Sequence, residues 1–523
     1  MASSAVPQGP LTSHPDLNSS CAANFTPCDP PIEPLWQCDP SITRTQPAEE
    51  IEEKVKCQQK SSDLSLEQCF HSESFAIESL PVNFRLQMDQ LSKTIDWLYS
   101  LESRGEIYKL ERMEAALEVV GSPHRRIRVV HIAGTKGKGS VAAMLDSCLR
   151  QAGYRTGLYT KPHLVNLAER TRISGAEIPP ALMLDYIERL RAIYDRAGLA
   201  LTFFEFTVAM MFLYFAEENV DIAVVETGLG GRLDSTNVVT PILSVITPIG
   251  FDHMEYLGYT IAAIAGEKGG IIKNDIPVVI GARDPEARLV LTSIAAQRRC
   301  PARLIDRDFS YRSQAPAHRL DYHGLGLELH DLEIGLAGPF QHENAAIAVG
   351  TLEALRAQGF SIDEDAIRRG IREIYWPGRF DVVSKRPLVI LDCAHNEMSI
   401  AALLETMSVE LGPGVKPRLL FGCQSAKEWA TMAAMLGPRV RDVTLTRAKP
   451  KSPLEPEELL AHFAAHCPAR VERDPIRAIE RVISELAPDD VALVTGSVYL
   501  IGEVYPYFLT REGRIGLFPE AGA

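Results

Sequence analysis

Glycines spaced around two lysines and closed by a hydroxyl, Gly134-Thr135-Lys136-Gly137-Lys138-Gly139-Ser140, form the stretch of this chain best suited to chemistry. An apolar run, Ile127 to Ile132, precedes it, and Val141, Met144, Leu145, Cys148 and Leu149 follow at helical spacing. Strand, glycine-rich turn with Lys and Ser, then helix is the order of a phosphate-binding loop of the G-x-x-x-x-G-K-[ST] kind. In such a loop the glycines let successive backbone N–H groups face phosphate oxygens, and the helix start adds partial positive charge. Lys138 is placed to reach the terminal phosphates, and Ser140 to offer its hydroxyl to Mg²⁺. The expected ligands are ATP and Mg²⁺.

Ligands of open parallel sheets lie at the carboxyl ends of strands, so polar residues that directly follow apolar runs are the next candidates. Glu226 ends the run Ile222 to Val225 and opens Glu226-Thr227-Gly228-Leu229-Gly230-Gly231-Arg232-Leu233-Asp234. A carboxylate there is placed to hold Mg²⁺, although a cap or turn residue would look the same. His253, after Ile242 to Thr247, reads either as a second metal ligand, with Asp252 orienting it, or as a structural histidine. Lys268, among glycines in Gly266-Glu267-Lys268-Gly269-Gly270, reads on its own as a solvated charge. Asp392 and His395 follow the run Leu388 to Leu391 and could act on ATP or on a nucleophile, while Asp392 could equally cap the next helix. The fork and permanent charge of Arg379 suit a phosphate contact.

The elements that must carry these residues alternate. Helical periodicity begins at Leu91, and a second helix lies around Leu110 to Val119, both ahead of the glycine-rich turn. Beyond it come a short strand at Thr156–Thr160, broken by Pro162, and helices at 180–197 and 203–217. Strands at 222–226, 242–247 and 277–280 complete a parallel, doubly wound α/β sheet. Residues 304–336 alternate like antiparallel strands, and 341–357 return to helix until Trp376-Pro377-Gly378-Arg379 interrupts. A second alternating series has strands at 388–391, 418–421, 442–445 and 491–495. The boundary falls just after Arg379, giving domains 86–382 and 383–523. Residues 1–85, rich in Pro, Ser, Asn and Asp and carrying five of the ten cysteines, read as a disordered extension. Met88 is an alternative start just before the first strong helix.

Composition excludes several classes of function. At 523 residues the chain needs more than one core, and 46% hydrophobic with 23% charged residues is ordinary for a globular protein. A net charge of −14 argues against a nucleic-acid partner. No apolar run approaches the roughly 20 residues that span a bilayer; Phe203 to Phe215 is short and carries Glu205. The cysteines show no C-x-x-C pair, which points to reduced thiols and a cytoplasmic protein.

From Met88 to Phe508 the chain resembles the folylpolyglutamate synthase and dihydrofolate synthase family of the Mur ligase superfamily. The motifs that carry the likeness are GTKGKGS (134–140), PHLVNLAERTRISG (162–175), FFEF (203–206), ETGLGGRLDSTN (226–237), DHMEYLG (252–258), EKGGII (267–272), PGRF (377–380), LDCAHN (391–396) and TGSVYLIGEV (495–504). The resemblance implies an N-terminal P-loop ATPase domain, a smaller C-terminal Rossmann-like domain and an active site between them. It implies ATP-dependent ligation of L-glutamate to dihydropteroate, to the terminal glutamate of tetrahydrofolate, or to both, through an acyl phosphate, by a monomer. By the same resemblance Gly134, Lys136, Gly137, Lys138, Gly139, Ser140, Asn344, Arg379 and Asp392 would bind ATP. Ser140, Glu226, His253 and a carbamylated Lys268 would hold magnesium, Lys268, Asp392 and His395 would serve catalysis, and Thr202 and Phe204 would contact the pterin.

One departure stands out: Lys161 occupies the place before Pro-His-Leu where the family has a magnesium-binding serine. A protonated ammonium has no lone pair for a cation. Lys161 therefore replaces the metal's charge, swings away to leave the place to water, or marks altered activity, including a non-catalytic ATP- or folate-binding relative. Glu397, where the family often has proline, is a smaller departure.

Overall fold

Buried parallel strands need apolar side chains on both faces, and short runs of Val, Ile, Leu and Ala supply them. The larger sheet has eight strands: β1 (Val129–Ala133), β2 (Thr156–Tyr159), β3 (Thr171–Ile173), β4 (Ala176–Glu177), β5 (Ile222–Glu226), β6 (Leu243–Ile246), β7 (Val278–Ile280) and β8 (Ala302–Leu304). Their order is β4-β3-β2-β5-β1-β6-β7-β8, parallel from β2 to β8, with β3 and β4 antiparallel at one edge. These are the coordinates of a computed structural model that describes residues 82–104, 109–314, 318–448 and 452–511.

The chain leaves β1 and returns at β2, which lies beyond β5, while β6 flanks β1 on its other side. The order thus reverses at β1, and the crevice above its carboxyl end is where a ligand fits. Register places Ile132 beside Glu226 on one side, and Ala133 beside Ile246 on the other.

Each face of this sheet has its own core. Against one, the helix Lys138–Gln151 packs with the helices Phe340–Arg356 and Glu364–Arg372. Against the other lies Phe203–Glu217, apolar nearly all round as a core helix should be. Its one buried acid, Glu205, accepts a two-pronged contact from Arg112 at 2.9 and 2.6 Å and closes a capping box with Thr202.

A three-stranded antiparallel sheet follows: β9 (Ser310–Gln314), β10 (Arg319–His323) and β11 (Glu328–Glu333). The second large sheet has β12 (Asp381–Lys385), β13 (Leu388–Leu391), β14 (Arg418–Phe421), β15 (Asp442–Leu445), β16 (Ala469–Val471) and β17 (Val491–Thr495). Its order is β12-β13-β17-β14-β15-β16, with only β12 antiparallel.

The structure corrects the sequence reading in places. The first helix runs Val82–Ser100, so residues 82–85 are helical rather than tail, and Met88 lies inside that helix. The rest of the expected disordered tail, with its five cysteines, lies outside the described residues. The helix expected over 341–357 runs Phe340–Arg356, and a further helix that the sequence reading did not expect, Glu364–Arg372, follows it, capped by Asp363. Among the described residues no helix is long and apolar enough to cross a membrane, and the five cysteines there are free thiols.

Candidate active site

The glycine-rich turn folds tightly because two of its glycines have no alternative. At Gly134 (φ 149°) an added Cβ would stand 1.9 Å from Thr247 Oγ1, and that hydroxyl donates to the Lys136 carbonyl at 2.6 Å. Gly137 (φ 80°) caps the helix in the left-handed region, and a Cβ there would meet Asn344 Oδ1 at 2.2 Å. The helix begins at Lys138, so only two residues separate these glycines and the turn is shorter than the general motif. Lys138 Nζ donates to the Gly134 carbonyl at 3.0 Å and lies 4.0 Å from Glu226 Oε1. Ser140 is buried in the first turn.

Asn344 is thus brought against the turn, its amide donating to Gln341 Oε1 at 2.9 Å. The Gln341 Nε2 is buried with no protein partner. Thr135 donates to the Gly250 carbonyl at 3.1 Å, tying the turn to the loop after β6.

Glu226 is 4% exposed at the end of β5. Burial raises its pKa, and the charge of Lys138 opposes the rise. Among the described residues its oxygens accept only the Lys161 backbone N–H at 3.3 Å besides the Lys138 contact, leaving lone pairs available. Beside it the Thr227 hydroxyl is buried with no partner. Among the described residues no group of three or more His, Cys, Asp or Glu could hold a metal by itself. An oxygen-seeking cation at Glu226 would therefore take its remaining ligands from phosphate and water, the usual habit of Mg²⁺. The donor set fits that ion.

Lys268 is not the solvated charge its local sequence suggests. It ends the helix Ile261–Gly269, 4% exposed, with Lys138 and Lys161 in its field. Burial first, then the Lys138 charge, lowers its pKa to about 7, so near neutral pH much of it is a free amine. His253 is the outlier. Its backbone is left-handed (φ 49°), its side chain is 46% exposed, and its Nε2 is 3.9 Å from Asp252 Oδ1, too long for a hydrogen bond.

A buried relay supports the loop after Glu226. The Thr236 hydroxyl donates to Asp234 Oδ1 at 2.5 Å, and with its one proton so used it must accept from His131 Nε2–H at 2.8 Å. Burial, reinforced by Lys273, pushes His131 down to about 3, so it is neutral. Asp234 Oδ1 also accepts the Thr236 N–H at 3.0 Å, and Oδ2 accepts the Leu229 N–H at 2.8 Å. Thr236→Val is expected to destabilise the protein, by about 1–3 kcal/mol for each polar group left unpaired. Thr236→Ser should keep most of that stability, and thermal unfolding of the two variants checks it.

The second sheet presents its own strand end to the turn. Lys136 Nζ donates to Asn396 Oδ1 at 3.3 Å, and Asn396 caps the helix Glu397–Glu410. Asp392 is not a helix cap. Its oxygens accept the N–H groups of Phe380 and Ala394, each at 2.8 Å, and so fasten the segment carrying Arg379. Arg379 is close enough for its charge to act on Glu226, Asp392 and His395. His395 Nδ1 lies 2.8 Å from the Cys393 carbonyl, which can only accept, so Nδ1 carries the proton and Nε2 the lone pair. Burial lowers His395 to about 4.

The Thr202 hydroxyl is taken up at the start of its helix, donating to Glu205 Oε2 at 2.9 Å and accepting the Glu205 N–H, as an N-cap does. Phe204 borders the site, with the Lys161 ammonium 6.0 Å from its ring centroid. Sequence reasoning missed Lys427, whose charge acts on Lys136, His253 and His395, and Trp376, whose Nε1 would be 3.3 Å from a Cβ at Gly139. Trp376 adjoins the noted Pro-Gly-Arg segment, a signal that could have found it; Lys427 carries no local signal.

Comparison with known proteins agrees with this geometry. Residues 132–352 match the Mur ligase middle domain, and residues 378–498 the Mur ligase, glutamate ligase domain. Folylpolyglutamate synthase of Lacticaseibacillus casei is 33% identical over 423 residues, spanning 79% of this chain and 97% of that protein. Dihydrofolate synthase/folylpolyglutamate synthase of Mycobacterium tuberculosis is 36% identical over 440 residues, 76% and 90% of the two chains. Among solved structures, folylpolyglutamate synthase from Thermotoga maritima superposes with a TM-score of 0.73 at 33% identity, over 82% of this chain and 98% of that one. Escherichia coli FolC in complex with DHPP and ADP gives 0.72 at 30% identity, over 80% and 98%. The chain belongs to the folylpolyglutamate synthase/dihydrofolate synthase family of Mur ligases, which are ADP-forming amide-bond ligases.

Proposed function

We propose that this protein ligates L-glutamate to dihydropteroate and to the terminal glutamate of tetrahydrofolates, at the expense of ATP. The observation that carries the reading is the meeting of a phosphate-cradling turn, a buried Glu226 and a lysine lowered to about 7 at one crevice. A carboxylate is a poor electrophile, so the acceptor's carboxylate oxygen first attacks the γ-phosphorus and ADP leaves. The glutamate amine then attacks the acyl carbon, loses a proton, and inorganic phosphate departs as the amide forms.

The turn from Gly134 to Ser140 holds the phosphates, and Lys138 neutralises charge on the transferring phosphoryl group. Asn344 positions the turn through Gly137, and Arg379, held by Asp392, closes on the nucleotide from the second sheet. Glu226, Ser140 and His253 would hold Mg²⁺. That ion supplies Lewis-acid stabilisation of the phosphoryl oxygens when bound. A neutral Lys268 amine can add to CO₂, forming a carbamate and releasing a proton, which turns it into an oxygen ligand for the same cation. The His395 Nε2 lone pair is available to orient the incoming amine or accept its proton. The protein is proposed to act as a cytoplasmic monomer on small molecules, without nucleic-acid or membrane partners.

ADP release by the full chain with Mg-ATP and L-glutamate tests the reading, run separately with dihydropteroate and with tetrahydrofolate. Glutamate-dependent turnover with both is expected, and turnover with one alone would identify a monofunctional synthase. ATP binding without glutamate-dependent turnover would favour a non-catalytic relative. Against that alternative, among the described residues the Lys161 ammonium makes no ion pair with Glu226 within 4.0 Å, although its charge acts on that carboxylate.

A further inference from the structure

Lys161 is the residue at which this chain departs from its resemblance, and its placement is specific. Its backbone N–H donates to Glu226 Oε2 at 3.3 Å, yet its ammonium does not follow. The side chain turns toward the face of Phe204, 6.0 Å from the ring centroid, the outer limit of a cation–π contact. Among the described residues it forms no side-chain hydrogen bond and no ion pair within 4.0 Å. Asp234, whose carboxylate opposes the lowering of Lys161, already accepts from Thr236 twice and from Leu229. Three ammonium N–H donors are thus left unmatched at the edge of a site whose other cations include Lys138 and Lys268.

Burial first, then the Lys138 charge, lowers the pKa of Lys161, and an anion seated on its donors would offset both effects. Of the charges around it, Lys138 acts most strongly on Lys161, so an anion bound by one lies beside whatever the other grips. The turn and Lys138 already serve the triphosphate. The acceptor carboxylate must lie in line with the γ-phosphorus, next to Lys138, for transfer to occur. Glutamate carries no aromatic ring, whereas dihydropteroate carries its carboxylate on one, and the surface beneath the ammonium is the Phe204 ring.

We infer that Lys161 binds the carboxylate of the acceptor substrate, holding it over Phe204 for phosphorylation. The inference rests on the proposed glutamate-ligase reading. Of the three accounts open to Lys161, it takes the one in which the side chain swings away from the cation, and it adds a destination.

Equilibrium binding of dihydropteroate and of its methyl ester, with ADP and Mg²⁺ present, tests it on the full chain and on Lys161→Met and Lys161→Arg. The wild type is expected to prefer the acid over the ester by at least about tenfold, as one charged hydrogen-bonded contact provides. Lys161→Met should lose that preference by weakening the acid alone, and Lys161→Arg should recover part of it. ADP affinity and its Mg²⁺ dependence should stay unchanged in both variants, which also reports that they fold. Unaltered acid affinity in Lys161→Met overturns the inference. A shifted Mg²⁺ dependence of ADP binding with unchanged acid affinity also overturns it, and would show that the lysine replaces metal charge. Failure of the wild type to bind either dihydropteroate or tetrahydrofolate would bring down the acceptor assignment itself, and the inference with it.

Discussion

Lys138→Ala is expected to lower kcat by about 10³-fold or more, the scale seen when a cation on a transferring phosphoryl group is removed. The loss should fall on kcat more than on KM for ATP, because the turn still offers its backbone N–H groups to the phosphates. The fold should survive. Among the described residues Lys138 Nζ hydrogen-bonds only the Gly134 carbonyl, at 3.0 Å, and its side chain is 17% exposed. Glu226 would keep the charges of Lys161 and Arg379 nearby. Steady-state kinetics beside a thermal unfolding curve provides the check, and near-normal turnover would remove the phosphate-loop assignment.

Lys268→Ala should cost about 10²-fold or more in kcat, since it removes an oxygen ligand of the cation that would stabilise the phosphoryl oxygens. The truncation leaves room at a buried position, so millimolar acetate or propionate should restore part of the activity by supplying the missing oxygen ligands. Lys268→Met, which fills that space with an apolar chain, should show no such rescue. In the wild type the carbamate itself is observable by ¹³C NMR under labelled CO₂. Below pH 7 the amine is protonated and has no lone pair for CO₂; above it the neutral form dominates. At fixed dissolved CO₂ the carbamate signal should therefore rise as pH passes upward through about 7. A signal independent of pH, or present in Lys268→Met, would assign the carbamate elsewhere.

Lys138 is legible from where it sits in the chain, whereas Lys268 is marked only by the family resemblance. Strands β1, β5, β6, β13, β14, β15 and β17 announce themselves as apolar runs, since a parallel strand covered on both faces tolerates little else. Polar residues that directly follow such runs must lie at strand ends, and that argument finds Glu226, His253, Asp392 and His395, while the glycine spacing finds Lys138. Strands β3, β4, β8, β12 and β16 escaped it. All lie at or next to a sheet edge and carry polar residues such as Arg172, Glu177, Arg303, Asp381 and Arg470, so they show no apolar run.

By itself, then, the sequence determined the chemistry on offer: a phosphate turn, a strand-end carboxylate, and lysines and histidines spaced as one family spaces them. Tertiary structure alone decided which of these groups are perturbed and where they point. His131 meets Thr236 across 105 residues of chain, and Lys136 meets Asn396 across 260. Lys268 is flanked by glycines and reads as exposed, yet packing buries it beside other cations and lowers its pKa to about 7. Lys161 reads three ways from the sequence, and only the fold sets its ammonium over Phe204. Desolvation and charge proximity are properties of the space between elements, and no local stretch of sequence encodes them.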